Sequence, residues 1–179
     1  MRIVFAGRGN VAERCLAVME SMPVSVVLAP FGHPVDLLVS VHWPDKFLPE
    51  ELSLPRLGAV NVHNSYLPWN KGAHACTWAM IDKTPHGATM HWMDEGIDTG
   101  PILFQERVEI EDTDTAHSLY AKTADAEVRV FKVGMEMILA GDMRKLPQTG
   151  KGSIHRKRDF QRLVNAMTTS DCKVHLERS

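Results

Sequence analysis

The sequence lacks the features that mark membrane-spanning, secreted and disulfide-stabilised proteins. Its apolar runs fall short of the roughly 18 residues that a spanning helix needs. The apolar part of MRIVFAGRGN is too short for a signal peptide. The three cysteines, Cys15, Cys76 and Cys172, show neither close pairing nor metal-type spacing, as is typical of reduced thiols. We therefore expect a cytoplasmic protein without membrane association.

The sequence also lacks a strong charge of either sign and a recognisable set of metal ligands. Lys and Arg number 20 against 22 Asp and Glu, a net charge of -2, which gives no whole-protein field for attracting nucleic acid. The nine histidines contain no HExxH or HxxxH spacing, so we expect no metal site. The basic run HRKRDFQR at 155–162 could contact phosphate or RNA, although a solvated charged tail is the preferred interpretation.

What the sequence does contain is a series of short apolar runs in its first third. Strands are predicted over 2–7, 24–30, 36–43 and 57–63. Together with a helix over 10–22, they are typical of a mainly parallel sheet that is buried on both faces. The link at 30–35 is unusual, because a parallel crossover normally takes about a dozen residues. We expect either an abbreviated edge strand or a missing helix there.

The second half predicts an antiparallel pair attached to this sheet. Residues 87–94 alternate, with Ala88, Met90 and Trp92 on one face, and residues 100–110 have a similar character. The turn EGIDTG between them is rich in Gly and Asp, which favour tight turns. The elements together predict an α/β fold, a Rossmann-like, mostly parallel sheet with helices on both faces and an antiparallel pair near the C-terminal half.

Helices account for most of the remaining chain. They are predicted over 72–82 and 112–141, the longer one with Tyr120 on its apolar face. This helix has N-terminal capping candidates at 112–114 and a stop at Gly141. After it, the polar and basic composition predicts a loop and a short helix at most.

Two polar residues, Asn61 and His63, end the apolar run at 57–63. Because residues two apart in a strand point to the same side, these side chains project together from the C-terminal end of an inner strand. In open α/β sheets the ligand crevice lies outside that end. An imidazole can exchange a proton near pH 7 and a carboxamide can donate to an oxyanion, although polar residues also end strands without any catalytic role.

Two further motifs each allow a structural and a functional interpretation. Asp98 in EGIDTG can hold His63 if the turn folds over the crevice, and on composition alone so can Asp94 or Glu95. The glycines of GRGN at 7–10 either bring backbone N–H groups to an anion or only allow a tight turn. GRGN is not the full GxGxxG fingerprint.

Taken together, NVHNSYLP, KGAH and GATMHWMDEGIDTGPILFQ resemble the 10-formyltetrahydrofolate-dependent formyltransferase family, within residues 36–141. The positions that fit the family pattern are Asn61, His63, Ser65, Leu67, Pro68, Gly72, Gly87, Thr89, Asp98, Gly100 and Gln105. The resemblance implies a formyltransferase catalytic domain over 1–145, followed by a short polar, basic C-terminal extension over 146–179.

The resemblance also implies a mechanism, in which a primary amine attacks the formyl carbon of the folate. Asn61 and protonated His63 would stabilise the oxyanion, and Asp98 would orient the imidazole. His63 would relay a proton from the amine to the departing N10, and no metal is needed. The residues near which the pterin would touch backbone are Phe47, Leu48 and Asp94.

The resemblance leaves the acceptor amine open among the members of the family. Methionyl-tRNA formyltransferases carry a C-terminal RNA-binding domain, for which the residues after Gly141 leave little room. GRGN is close to the Gly-x-Gly-Ser phosphate loop of glycinamide ribonucleotide formyltransferase. EGIDTGPI, Trp43, CTWAMI and GSIHRKRDFQRL look more like the sugar N-formyltransferases.

The preferred acceptor is therefore the amine of a nucleotide-linked sugar. One alternative is glycinamide ribonucleotide, and another is a folate- or nucleotide-binding protein that has lost catalysis. The residues that we expect to contact the acceptor are Gly9, Asn10, Trp69 and Lys71. We expect a small-molecule amine as partner and neither nucleic acid nor membrane. A homodimer is left open, with the basic tail as a candidate interface.

Overall fold

The computed structural model describes residues 1–29 and 35–176, with side chains as far as residue 166. The strands are β1 (Arg2–Gly7), β2 (Ser25–Leu28), β3 (Leu37–Val41), β4 (Ala59–His63), β5 (Lys71–Gly72), β6 (Gly87–Trp92), β7 (Ile102–Arg107) and β8 (Ile154–His155). The helices are α1 (Asn10–Glu20), α2 (Pro49–Ser53), α3 (Ala75–Asp82), α4 (Ala116–Leu139) and α5 (Lys157–Leu176).

One sheet joins six of these strands in the order β2-β1-β3-β4-β6-β7. Strand β1 pairs in parallel with β2 and β3, and β3 pairs in parallel with β4. Strand β6 pairs antiparallel with both β4 and β7. The sheet confirms the predicted α/β, Rossmann-like class with its antiparallel pair. The short link predicted at 30–35 lies almost entirely outside the described residues.

The main core lies between one face of the sheet and helices α1 and α4. Phe131 and Met135 of α4 are fully buried there against apolar side chains of the strands. Ala88, Met90 and Trp92 belong to the same core, which confirms the face that their alternation predicts. Burying a large apolar side chain contributes about 1.5–3 kcal/mol, so this face holds α4 against the sheet.

The opposite face carries a smaller core and the short helix α2. Val4 and Leu38 of the sheet pack there with Phe47, and Leu52 of α2 is partly buried against them. Helices therefore lie on both faces, as predicted. This packing fixes the segment that follows β3, at the C-terminal end of the parallel strands.

Helix α4 is capped by a different residue from those predicted. The side chain of Thr115 accepts from the N–H of Ser118 at 3.1 Å, and Oγ of Ser118 accepts from the N–H of Thr115 at 3.0 Å. The capping prediction at 112–114 is therefore wrong, because Asp114 instead binds the hydroxyl group of Ser118. Gly141, with φ 84°, follows the helix and confirms the predicted stop.

The buried stripe of α4 also differs from the predicted apolar face. Tyr120 was expected in the stripe but is 42% exposed, whereas the charged Glu127 is fully buried. One oxygen of Glu127, Oε1, lies 2.7 Å from Nε2 of His42, just beyond the end of β3. The helix thus places a carboxylate beside the C-terminal ends of the parallel strands, where no apolar pattern could predict it.

The prediction of a loop and a short helix after α4 is wrong, because this segment forms β8 and the 20-residue helix α5. Strand β8 pairs with β5, and the rings of His155 and Trp78 stack with centroids 4.2 Å apart. Gln148 Nε2 donates to the carbonyl oxygen of Asp98 at 2.7 Å. These contacts connect residues before the predicted domain boundary at residue 145 with residues after it. The boundary itself stays a prediction.

The docking of this C-terminal segment can be tested at Gly152. This residue has φ 60°, and a Cβ there would overlap the carbonyl oxygen of Pro68. Gly150 is a matched control, because it has φ 92° and nothing within 4 Å of its Cβ position. We expect Gly150→Ala to lower the free energy of unfolding by about 1–2 kcal/mol through backbone strain. Gly152→Ala should cost about 1–3 kcal/mol more, because the backbone must move.

Urea denaturation of both variants and the unmutated protein measures these losses. Equal losses in Gly150→Ala and Gly152→Ala would show that the segment does not dock against Pro68.

Candidate active site

The structure brings Asn61, His63 and Asp98 together at the C-terminal end of β4. The turn between β6 and β7 folds back so that Oδ2 of Asp98 lies 3.6 Å from Nε2 of His63. The same nitrogen lies 3.1 Å from the carbonyl oxygen of Asn70, to which its N–H donates. The proton of the neutral ring is therefore held on Nε2, and Nδ1 remains as the nitrogen that can exchange a proton with a substrate.

Asp98 is the carboxylate that faces this imidazole, and its charge is stabilised from three sides. Its Oδ2 accepts from the N–H of Gly72 at 2.8 Å, and its Oδ1 lies 3.4 Å from Nε2 of His91. Burial by itself raises the pKa of this carboxyl group, but His63, His91 and the N–H of Gly72 outweigh burial and hold the pKa well below its ordinary value. Asp98 is therefore ionised at neutral pH.

His91 is a site residue that the sequence analysis missed. The register of β4 with β6 places it opposite Asn61. Its Nδ1–H donates to the carbonyl oxygen of Trp92 at 2.8 Å, and its Nε2 lies 3.3 Å from Nδ2 of Asn61 and 3.4 Å from Oδ1 of Asp98. The ring of His91 therefore contacts both the amide and the carboxylate of the candidate site. Alternation predicts the polar face of β6, but only the pairing with β4 shows what His91 contacts.

Asn70 is a second residue that the sequence analysis missed, and it connects His63 to the C-terminal segment. It is fully buried with φ 53°, a conformation that Asn adopts more readily than most residues. Its N–H donates to Oγ of Ser153 at 2.8 Å, and its Oδ1 accepts from the same hydroxyl group at 3.1 Å. Its side-chain amide donates to Thr84 at 2.7 Å. The turn-forming run WNKG was the available signal, but it does not indicate burial.

The loop between β4 and β5 is held by polar side chains of β6 and β7. Oγ1 of Thr89 donates to the carbonyl oxygen of Ser65 at 2.7 Å and accepts from the N–H of Leu67 at 3.2 Å. Gln105 Nε2 donates to the carbonyl oxygen of Leu67 at 3.2 Å. The following Leu67–Pro68 peptide bond is cis. These positions of the family pattern therefore shape the loop that leads to β5.

Two cavities meet at the candidate catalytic residues. The first cavity, of about 200 Å³, lies between residues 43–47 and the turn at 93–98. The second cavity, of about 450 Å³, lies between the end of β4 and residues 155–157. Asn61 and Asp98 line both cavities. Two small molecules, one in each cavity, would therefore meet beside these side chains.

The structure places two of the three predicted folate-binding residues in the first cavity. Phe47 and Asp94 line it, and Trp43 stacks on Phe47 with ring centroids 6.4 Å apart. Leu48 is not among the lining residues and is 61% exposed. Oδ1 of Asp94 accepts from the N–H of Gly96 at 2.9 Å, so this carboxylate shapes the turn rather than contacting His63.

The residues predicted to contact the acceptor are not brought into either cavity. Gly9 lines a separate hollow beside α1, which shares Trp43 with both cavities. Asn10 is the first residue of α1 and is exposed. Trp69 lines another hollow, and Lys71 lies in β5, where it pairs with β8. The positions of these residues in the sequence do not indicate which surface of the folded protein they line.

The structure also locates two of the three thiols. Cys15 and Cys76 are buried, and burial raises the pKa of their thiols to about 12 and about 11. Both are therefore protonated at neutral pH and supply no nucleophile. The side chain of Cys172 lies outside the described residues.

Within residues 1–29 and 35–176, no helix combines the length and the apolar composition needed to cross a membrane. The same part of the chain contains no group of three or more His, Cys, Asp or Glu side chains arranged to hold a metal ion.

Comparisons with known sequences give consistent matches. A model described as formyl transferase matches residues 23–133. The methionyl-tRNA formyltransferase of Methylacidiphilum infernorum is 35% identical over 124 residues, covering 69% of this chain and 39% of that protein. The GDP-perosamine N-formyltransferase of Brucella melitensis is 38% identical over 104 residues, covering 57% of this chain and 40% of that protein. The chain thus spans about two fifths of these curated relatives.

Solved structures match over more of the chain. The formyltransferase PseJ from Anoxybacillus kamchatkensis, in complex with UDP-4,6-dideoxy-4-formamido-L-AltNAc and tetrahydrofolate, has a TM-score of 0.81 and 28% identity. This match covers 92% of this chain and 90% of that chain. A 4-N formyltransferase from Francisella tularensis has a TM-score of 0.80 at 23% identity, covering 89% and 78%. At 23% identity, the match to the Francisella tularensis protein shows a similar fold and nothing further.

The lowered pKa of Asp98 predicts how stability depends on pH. A carboxyl group with a lowered folded-state pKa stabilises the protein above its unfolded pKa, about 3.9, and this contribution is lost as the pH falls below that value. We expect Asp98→Asn to lower the free energy of unfolding by roughly 1–3 kcal/mol at pH 5 and above. The difference from the unmutated protein should shrink between pH 4 and pH 3 in urea denaturation. A difference that is unchanged at pH 3 would show that the charge of Asp98 is not responsible.

Proposed function

This chain belongs to the formyl transferase family, and from that membership we propose that it transfers a formyl group from 10-formyltetrahydrofolate to a primary amine of a nucleotide-linked sugar. The observation that carries the proposal is the arrangement of Asn61, His63 and Asp98 between two cavities. One cavity would hold the formyl donor and the other the amine.

The two donors at the end of β4 suit the charge that develops in this reaction. Attack of the amine nitrogen on the formyl carbon gives a tetrahedral intermediate with an oxyanion. Asn61 presents its side-chain amide, and His63 presents on the same side of the strand its Nδ1, which donates once the ring has taken up the proton of the amine. Preorganised donors of this kind stabilise a developing oxyanion without having to reorient during the reaction.

The proton balance of the reaction gives His63 a second role. The attacking amine must lose a proton, N10 of the folate must gain one, and the bond between N10 and the formyl carbon then breaks. His63 can accept and return this proton through Nδ1 because Asn70 and Asp98 hold its other nitrogen. Asp98 stays ionised and stabilises the imidazolium form. The products are a formamide and tetrahydrofolate.

The first cavity is the proposed place of the folate. Trp43 and Phe47 form an aromatic wall, and Asn61, His91 and Asp98 supply polar groups in the same lining. A planar bicyclic pterin with donors and acceptors along its edge fits such a lining. In this proposal the pterin contacts the backbone near Phe47, Leu48 and Asp94. The PseJ structure contains tetrahydrofolate, which supports this class of co-substrate.

The second cavity is the proposed place of the acceptor. The relatives named for sugar nucleotides, PseJ and the GDP-perosamine enzyme, support a nucleotide-linked amino sugar. A second candidate is glycinamide ribonucleotide, because Arg8 and Gly9 line a hollow where a phosphate could bind. Contact of the acceptor with Gly9, Asn10, Trp69 or Lys71 stays a prediction, as do a cytoplasmic location and a homodimer.

Replacement of the catalytic side chains tests the chemistry. We expect His63→Ala and Asp98→Asn to lower kcat by about 100-fold or more, because the proton relay and its orientation are lost. Binding of a folate analogue, measured by calorimetry, should change little. His117→Asn, at an exposed position of α4, is the control and should leave both quantities unchanged. Loss of folate binding in Asp98→Asn without a separate effect on turnover would make Asp98 a structural residue.

A panel of amines tests the acceptor. Each reaction contains 10-formyltetrahydrofolate and one of dTDP-, UDP- or GDP-linked amino sugars or glycinamide ribonucleotide, with products detected by mass spectrometry. We expect a formamide from at least one sugar nucleotide and none from glycinamide ribonucleotide. A formylated ribonucleotide would establish the second candidate. Binding of a folate analogue without any formylated product would establish the alternative of a catalytically inactive binding protein.

A further inference from the structure

The proposed reaction leaves one buried ion pair without a role. Glu127 of α4 is fully buried, and its Oε1 lies 2.7 Å from Nε2 of His42. The other oxygen, Oε2, has no hydrogen-bond partner in the described part of the chain. A buried carboxylate is costly unless it is paired, and the contact with Glu127 favours the protonated form of His42.

His42 is held in place by both its backbone and its partner. It lies just beyond β3 with φ 52°, a conformation that costs a residue other than Gly about 1–2 kcal/mol. Burial lowers the pKa of the imidazole, but the hydrogen bond and the charge of Glu127 outweigh burial and raise the pKa. The side chain is 23% exposed and lines the second cavity. An imidazole whose protonated form is favoured by Glu127 therefore borders the proposed acceptor site.

The opposite wall of the second cavity is also basic. Arg156 and Lys157 line it where β8 leads into α5. The acidic residue in this lining is Asp98, whose oxygens already face His63, His91 and Gly72. Arg156 and Lys157 thus give the lining of the cavity an excess of positive charge, to which a protonated His42 would add. Charge of this kind has no evident function in packing, because Arg156 and Lys157 are exposed.

We propose that His42, anchored by Glu127, forms with Arg156 and Lys157 an anion site for the phosphoryl group of the acceptor. The inference rests on the proposed function for the identity of that acceptor. The site would hold the phosphoryl group in the same cavity as His63, so that the amine of the bound molecule reaches the formyl donor. A nucleoside diphosphate and a ribose 5-phosphate both contain such a phosphoryl group, and the experiment below distinguishes between these two kinds of acceptor.

Binding of phosphorylated ligands to single variants tests the site directly. The probes are UDP, dTDP, GDP, inorganic pyrophosphate and glycinamide ribonucleotide, each titrated by calorimetry in the presence of a folate analogue. The variants are His42→Asn, Glu127→Gln, Arg156→Gln and Lys157→Gln. His42→Asn keeps a residue that tolerates a positive φ, and Glu127→Gln keeps the size of the side chain. The matched controls are His117→Asn and Lys132→Gln, both at exposed positions of α4.

We expect each site variant to weaken binding of at least one nucleoside diphosphate by roughly 10-fold or more, as for loss of a charge-assisted contact. The controls should bind as the unmutated protein does. His42→Asn combined with Glu127→Gln should weaken binding no more than His42→Asn alone, because Glu127 acts through His42. In the turnover assay, KM for the acceptor should rise about 10-fold with kcat nearly unchanged.

Three results would overturn the proposal. These are failure of all the probes to bind the unmutated protein, unchanged affinity in the site variants, and loss of binding in Arg8→Gln with full binding in His42→Asn. The last result would place the phosphate in the hollow beside Gly9. Thermal unfolding shows which variants are folded. If His42→Asn does not fold, the variants of the exposed residues Arg156 and Lys157 decide the question.

The failure of the inference and the failure of the proposed function are distinguishable. Binding of a nucleoside diphosphate that depends on His42, in a protein that formylates no amine, would keep the anion site and reject the activity. Formylation of a sugar nucleotide with the same KM in all site variants would keep the activity and reject the anion site.

Discussion

The arrangement of the candidate site depends on one carboxylate, that of Asp98. It comes from the turn between β6 and β7, and it meets the imidazoles of His63 and His91 and the N–H of Gly72. These groups belong to three separate parts of the chain. Because the low dielectric constant inside a protein strengthens charge interactions, a single partly buried charge can hold all three parts in register. Removing it would leave two imidazoles at the end of the sheet without a common partner.

A second carboxylate, that of the fully buried Glu127, repeats this arrangement one strand away. Asp98 meets His63 at the end of β4, and Glu127 meets His42 just beyond β3. The two pairs differ in what their imidazoles can do. His63 has a nitrogen left to exchange a proton, whereas the hydrogen bond and charge of Glu127 raise the pKa of His42 and favour its charged form. The same chemical pair thus suits proton transfer in one place and binding of an anion in the other.

The sequence predicts the parts of this site that follow from local periodicity. Apolar runs predict β1, β3 and β4, and the spacing of two residues correctly predicts that Asn61 and His63 project together. His91 and Asn70 could not be found this way, because their roles depend on which strands pair and on how a loop is buried. Strand β8 has only two residues, too few for any periodic signal. Glu127 lies in an apolar stripe where a charged residue contradicts the pattern that predicts the helix.

The C-terminal segment connects the proposed acceptor site to the catalytic imidazole. Ser153, next to β8, binds the backbone and side chain of Asn70, and the carbonyl oxygen of Asn70 accepts from His63. Two residues further along, His155 begins the basic wall of the second cavity. One short stretch of chain therefore lines the proposed acceptor site and also holds the carbonyl group that orients His63.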